Sequence, residues 1–156
     1  LLSWLDARQQ KARIQAGQIC FQVTEDVAAQ QLKRTKEVSE QLKAKGYKFA
    51  IDHLGTGRDS LQLIKHIPMD YTKIDGSLMQ GLHRDQDSQK RVGELAQAAR
   101  NEKIYTIAER VEDAQTMAVL WQLGIAHIQG NYNQMHGLVL EDSQTVRGLS
   151  LEAAEG

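Results

Sequence analysis

Gln22, Asp52, Lys73, Glu109 and Gln129 each stand at the carboxyl end of a short apolar run. Gathered at one place, an aspartate, a lysine and a glutamate suit phosphate chemistry. Carboxylates hold hard divalent cations, and an ammonium compensates a phosphoryl oxygen or steadies an attacking water. Further groups follow directly in the chain. His53 succeeds Asp52, where a second carboxylate would complete half of a metal-binding pair, and Arg110 and Glu112 succeed Glu109. The stretch FAIDHLGTG (49–57) therefore poses a choice between a working active site, a disabled one and a loop that carries a histidine.

These residues meet only if the elements that carry them run side by side. Five β-rich runs, ICFQV (19–23), YKFAI (47–51), YTKI (71–74), IYTIA (104–108) and IAHIQ (125–129), alternate with helical patterns. Ala28, Leu32, Thr35, Val38 and Leu42 recur at three- and four-residue steps, which predicts one helix stopped at Gly46. Asp59 or Ser60 is expected to cap a short helix through Leu61, Ile64 and Ile67, closed by Pro68. Asp87 is expected to cap a helix carrying Val92, Leu95, Ala96 and Ala99. Asp113 should cap another, with Met117, Leu120 and Trp121, stopped by Gly124.

Strand–helix alternation with polar strand ends is the pattern of a parallel α/β protein. The polar ends recur every roughly 27 residues, near the ~31 of a 250-residue eight-fold barrel, whose chemistry sits at the carboxyl ends of its strands. A doubly wound open sheet fits the alternation equally well. Five strands do not close an eight-stranded barrel, and parallel edges are poorly left exposed. Residues 1–16 read as a helix entered mid-fold, with Leu2, Trp4 and Leu5 apolar and nothing ahead of them. The expectation is that residues 1–156 are the C-terminal portion of a single larger barrel domain.

Composition narrows the classes. Apolar residues make up 41% of the chain and charged ones 25%, with a net charge of −1, so one core is affordable and no basic field draws a nucleic acid polymer. No apolar run approaches the ~20 residues that span a bilayer, and a secretory leader pattern is missing. Cys20 stands alone in an apolar run, which reads as a buried structural thiol. The cytoplasm is the simplest compartment.

Read together, the strand-end motifs are QVTE (22–25), IDHLGTG (51–57), KIDGSL (73–78), IAERVED (107–113) and IQG (128–130). In order and spacing they resemble the EAL domain family, whose segments read approximately ExTE, DDFGTG, KIDxSF, AEGVET and QG. The resemblance spans residues 1–140 or so and implies an α/β fold, a modified TIM (β/α)8 barrel whose N-terminal strands are absent from this chain. It also implies binding of cyclic di-GMP and, in intact members, its linearisation by two divalent metals. Gln22 stands where the family's first ExTE glutamate binds metal, and His53 where the second aspartate of DDFG lies. Asp52, Lys73, Glu109 and Glu112 match retained positions, and Arg110 replaces a glycine.

Two ions need hard oxygen ligands to neutralise four positive charges. Losing two acids therefore implies a degenerate phosphodiesterase, not an enzyme, that needs no cofactor and keeps cyclic di-GMP as ligand. Asp52, Lys73, Glu109, Arg110, Glu112 and Gln129 are its expected contacts. Within the family the pattern is most like the FimX-type receptors, type IV pilus regulators that dock a PilZ-domain partner, with further domains upstream. A slow metal-dependent phosphodiesterase and a ligand-free scaffold are the competing readings. Plainer ones stand beside them: His53 as a solvated loop residue, Arg110 ion-paired to Glu109 or Glu112, and GTGRDS as either a phosphate cradle or a tight turn into a helix. The charged stretch 30–45 reads as the wet face of an outer helix, and Trp4, Trp121 and the methionines as packing.

Overall fold

The computed structural model describes residues 16–129. Five parallel strands form one sheet: β1 (Cys20–Thr24), β2 (Lys48–Leu54), β3 (Tyr71–Ile74), β4 (Tyr105–Ala108) and β5 (His127–Ile128), in spatial order 1-2-3-4-5. A doubly wound sheet reverses its strand order at a switch point, whereas a barrel adds each strand beside the last. The unbroken order selects the barrel winding.

Alternation along the strands sorts the two faces. Phe49, Ile51, Ile74, Ala108 and Ile128 are buried in the main apolar cluster together with helix residues Leu42, Leu63, Leu95 and Leu120. The other face carries Cys20, Ala50 and Tyr71, which pack as a separate small cluster. Tyr71, Tyr105 and His127 follow on from strand to strand, with ring centroids 5.9 and 5.5 Å apart, and Lys48 lies over the Tyr71 ring. Burial raises the Cys20 thiol to about 12, which suits the inert structural role its surroundings give it.

The helices depart from the periodicity in several places. One helix was expected across Ala28 to Leu42. Two form instead, α1 (Glu25–Gln30) and α2 (Leu32–Ala44), because Gln31 leaves the helical region at φ −130° and ψ 53°. The Leu32–Ala44 helix exposes Lys33 and Lys36 as expected, while half-buried Lys43 pairs with Asp70 at 2.9 Å, and it buries Thr35, Ser39 and Leu42. In α3 (Ser60–His66), Asp59 holds the cap position without a side-chain bond, and the Ser60 hydroxyl is used elsewhere. The helix α4 (Gln86–Asn101) is capped by Asp85, not Asp87: its carboxylate accepts from the backbone N–H of Asp87 at 3.0 Å and of Ser88 at 3.2 Å. The acid two residues earlier reaches the first free amides, whereas Asp87 already lies within the first turn. β5 is shorter than the IAHIQ run. Trp121 is 51% exposed and contributes little to the core, while Met69, Met79 and Met117 are buried. The expectations for residues 1–15, including Trp4, lie outside the described residues.

Asp113 caps α5 (Ala114–Gln122) as the sequence predicts, accepting from Thr116 N–H at 2.6 Å and from Thr116 Oγ1 at 2.8 Å. The Thr116 amide holds this carboxyl below the ordinary aspartate value. A depressed folded value places its stabilisation above the unfolded pKa and removes it as pH falls through the folded one. Asp113→Ala is expected to cost about 1 kcal/mol at pH 7, measured by urea unfolding. The difference from the parent should vanish in strong acid; a variant as stable as the parent at neutral pH would contradict the cap.

Candidate functional site

Parallel strands converge their carboxyl ends on one rim, and an irregularity in β2 determines what that rim displays. Ile51 pairs with Thr72, but Leu54 pairs with Ile74, so three steps on β2 match two on β3. The extra residue is a bulge, a device that re-aims side chains near the end of a strand. His53 takes it up with a φ of 57°, a left-handed conformation that histidine, asparagine and aspartate enter more readily than most residues. With the bulge, Leu54 returns to the buried helix face, fully enclosed. Asp52 and His53 are left together at the rim.

The loop that follows is fastened from below. Glu25, at the start of α1, is 2% exposed. Its carboxylate accepts from Gly55 N–H at 2.6 Å, from Gly57 N–H and from Ser60 Oγ at 2.8 Å. The Gly-x-Gly amides, an attractive cradle for phosphate on sequence grounds, are therefore occupied by the protein's own anion. Of the two readings of GTGRDS, the tight turn into a helix is the one observed. Arg91 on α4 completes the anchor, donating through Nη2 to Gly57 O at 2.7 Å and Ser60 Oγ at 3.1 Å. Gly55 has a φ of 107°, and a Cβ on Gly57 would overlap the Glu25 carboxylate, so both turn glycines are required.

Around the rim, Asp52, His53 and Glu109 each offer a donor atom within 4.8 Å of the others. His53 Nδ1 is 2.8 Å from Asp75 Oδ1, and His53 Nε2 is 3.6 Å from Asp52 Oδ2. Asp75 is held by the backbone and side chain of Ser77. Lys73, 5% exposed, places Nζ 3.8 Å from Glu109 Oε1. Burial and the Asp52 charge push the Glu109 carboxyl above the ordinary glutamate value, with Lys73 and His53 opposing. The hydrogen bond that His53 donates to Asp75, then the Asp52 charge, holds His53 above the ordinary histidine value against its partial desolvation. The Ser77 hydroxyl first, and His53 with it, draws Asp75 downward.

The other expected site residues are spread more widely. Gln22 is half-buried and registers with Ala50, one layer below the Thr24–Asp52 pair. Arg110, exposed with a φ of 56°, lays its stem across Gly76, where a Cβ would overlap its Cδ; Glu109 pairs with Lys73 instead. Glu112 is exposed beyond it. Gln129 is fixed through its backbone, donating to Ala108 O at 2.7 Å and accepting from Val111 N–H at 3.3 Å. Its Oε1 is buried and meets no hydrogen-bond donor among the described residues. The NYNQMH stretch lies outside the described residues.

Two residues that organise this rim were inside the quoted motifs but not singled out. Glu25 was legible as an acid directly after a strand, facing a Gly-x-Gly turn. Asp75 was legible as the acid of an Asp-Gly-Ser turn. Neither signal says which anion fills which loop.

Residues 1–135 match the EAL domain family model. The chain belongs to the EAL domain family. It is 32% identical over 130 residues to the cyclic di-GMP phosphodiesterase PdeB of Shewanella oneidensis, covering 83% of this chain and 15% of that protein. The cyclic di-GMP phosphodiesterase PdeF of Escherichia coli is 32% identical over 120 residues, which is 77% of this chain and 16% of PdeF. Among solved structures, the FimX EAL domain of Pseudomonas aeruginosa bound to c-di-GMP superposes with a TM-score of 0.77 at 31% identity, over 85% of this chain and 55% of that one. Klebsiella pneumoniae BlrP1, in a manganese and cyclic di-GMP complex, gives a TM-score of 0.76 at 27% identity, over 83% and 33%. This EAL chain thus spans about a sixth of its phosphodiesterase relatives and about half of the FimX domain. No described helix is long and apolar enough to cross a membrane.

The family implies two divalent ions. Among the described residues, Gln22 brings a neutral amide, His53 a nitrogen already bonded on one side, Glu109 an oxygen beside an ammonium and Asp52 a carboxylate oxygen, so this part of the rim offers fewer hard oxygen ligands than a pair of such ions takes.

Two outcomes follow. Glu25→Ala should lower the unfolding free energy by roughly 2–3 kcal/mol, since three donors lose a charged acceptor. It should also speed amide exchange at Gly55 and Gly57; unchanged exchange would mean the carboxylate does not hold the loop. For His53, a raised folded pKa gives stability fully present below the unfolded value and lost as pH rises through the folded one. Its NMR titration midpoint is expected above the usual ~6.5 and should fall in Asp75→Asn. A midpoint at or below 6.5 would contradict the pairing.

Proposed function

We propose that this chain is part of a catalytically silent EAL barrel that binds cyclic di-GMP at its strand-end rim and relays occupancy to a protein partner. The supporting observation is the charge arrangement: Asp52 and Glu109 are balanced by Lys73 and His53 side chains, where a cleaving site needs two divalent ions. A dianionic nucleotide needs positive partners, and Lys73 with Arg110 supplies them. Glu112 accepts from a guanine edge, and the buried Gln129 Oε1 is an acceptor in want of an N–H donor. Asp52 and Glu109 border the ligand without cutting it. Likeness to the FimX domain bound to c-di-GMP supports the ligand. The same resemblance suggests a PilZ-domain partner in control of type IV pili.

A slow metal-dependent phosphodiesterase is the second reading. It is favoured by relatives named as phosphodiesterases and by the surviving donors Asp52 and Glu109.

Titration calorimetry on the full chain, with chelator present, is expected to show cyclic di-GMP binding that weakens at least tenfold in Lys73→Met, the loss of a charged hydrogen bond. Absence of heat at high micromolar nucleotide would reject the receptor. Chromatography after incubation with Mg²⁺ or Mn²⁺ should show intact nucleotide; linear product accumulating steadily would establish the enzyme.

A further inference from the structure

Three of the helices end in the same turn. After α2, Gly46 N–H donates to Lys43 O at 2.9 Å and Tyr47 N–H to Leu42 O at 3.0 Å. After α5, Gly124 N–H donates to Trp121 O at 3.1 Å and Ile125 N–H to Leu120 O at 2.9 Å. Both glycines take the left-handed conformation that this turn requires, with φ of 87° and 89°. α4 closes with the same pair of bonds, from Lys103 N–H to Arg100 O at 3.0 Å and from Ile104 N–H to Ala99 O at 2.8 Å. There the left-handed position is held by a lysine, at φ 60°. A Cβ at that position costs backbone energy that glycine avoids. The turn gains nothing from this side chain; the space beside it does.

α3 stops early at the same end of the sheet. Ile67, ahead of Pro68, leaves the helical region at φ −103° and ψ 117°, and the chain runs through Met69 and Asp70 into β3. Between this connection and the end of α4 lies a cavity of about 350 Å³, a size that suits a small organic ligand. It sits at the amino ends of β3 and β4, the opposite end from the rim. β3 is the middle strand of the five, so the elements on both sides of it are described. Ile64, Ile67, Met69 and Ile104 give the cavity its apolar lining. Its charged lining is Lys43, Lys65, Lys103, Asp70 and Glu102. Asp70 is already satisfied, accepting from Lys43 Nζ and from Phe49 N–H, each at 2.9 Å. Lys65, Lys103 and Glu102 take part in none of the ion pairs among the described residues. With His66 neutral, one positive charge is left in excess.

We infer that this cavity binds a small organic monoanion, its acid head paired with Lys65 and Lys103 and its apolar body against Ile67, Met69 and Ile104. Lysines are point charges on flexible stems, so they fix the charge of the head more than its shape. A carboxylate carries the single charge that balances the excess. This site is separate from the strand-end rim, and the inference does not depend on the receptor reading.

The test is a ¹H–¹⁵N NMR titration of the full chain with octanoate, and with octanol as its uncharged counterpart. Octanoate is expected to shift the amides of residues 65–70 and 102–104 to saturation, and octanol to bind more weakly. Lys103→Gly is the informative variant, because it removes the ammonium while giving the turn the residue it favours. It should unfold at the same temperature as the parent or a higher one, yet bind octanoate about fivefold more weakly. Lys36→Gln, at an exposed lysine of α2 outside the cavity, should leave the affinity unchanged. Octanol binding as tightly as octanoate, shifts absent or scattered over the chain at millimolar octanoate, or unchanged affinity in Lys103→Gly would overturn the site.

Discussion

Two carboxylates side by side at a half-buried rim repel each other and need a counter-charge. Asp52 and Glu109 are in that position, and the upward displacement of the Glu109 carboxyl is its electrostatic consequence. A positive group beside them is Lys73, itself almost fully enclosed, whose charge opposes the upward push on the Glu109 carboxyl. Removing either partner of such a pair costs far more than the pair contributes. The chemistry open to this rim follows from how that balance is completed. Two metal ions, one ion, a protonated histidine and an anionic ligand with its own positive partners are alternative ways to satisfy the same small set of charges.

The scaffold holds these charges in place by means with no chemical role of their own. The strands add in sequence order, which turns every carboxyl end toward one rim. The bulge at the end of β2 then puts consecutive residues, Asp52 and His53, on it together. The Glu25 carboxylate, buried against the Gly55 and Gly57 amides and the Ser60 hydroxyl, fixes the loop beyond. A carboxylate that accepts several bonds from backbone amides is well compensated despite its burial. An exposed loop of this composition, lacking such an anchor, would not keep His53 within reach of both Asp52 and Asp75.

How far the sequence could be read depended on the range of the interactions concerned. Strand positions, the parallel winding and the Asp113 cap come from local pattern, and the five motifs in order carried the family. Asp85 took the cap expected of Asp87 because helix start depends on which acid reaches the free amides, a matter of one turn. The break at Gln31 leaves no mark in the periodicity, since Ala28 and Leu32 keep the same spacing on either side. The link from Glu25 to Gly55 crosses 30 residues and the one from His53 to Asp75 crosses 22, so neither is visible in local composition. Arg110 beside Glu109 and Glu112 suggested an ion pair, yet its stem takes the space left open by Gly76.

At the centre of the proposed function is a count of charges: on that reading the rim stabilises at most one divalent ion. Anomalous diffraction at the manganese edge, from crystals of the full-length protein grown with cyclic di-GMP and excess Mn²⁺, measures this directly. The account predicts no more than a single peak among Asp52, His53 and Glu109. Two full peaks there, about 3.5–4 Å apart as in a two-metal centre, would contradict it.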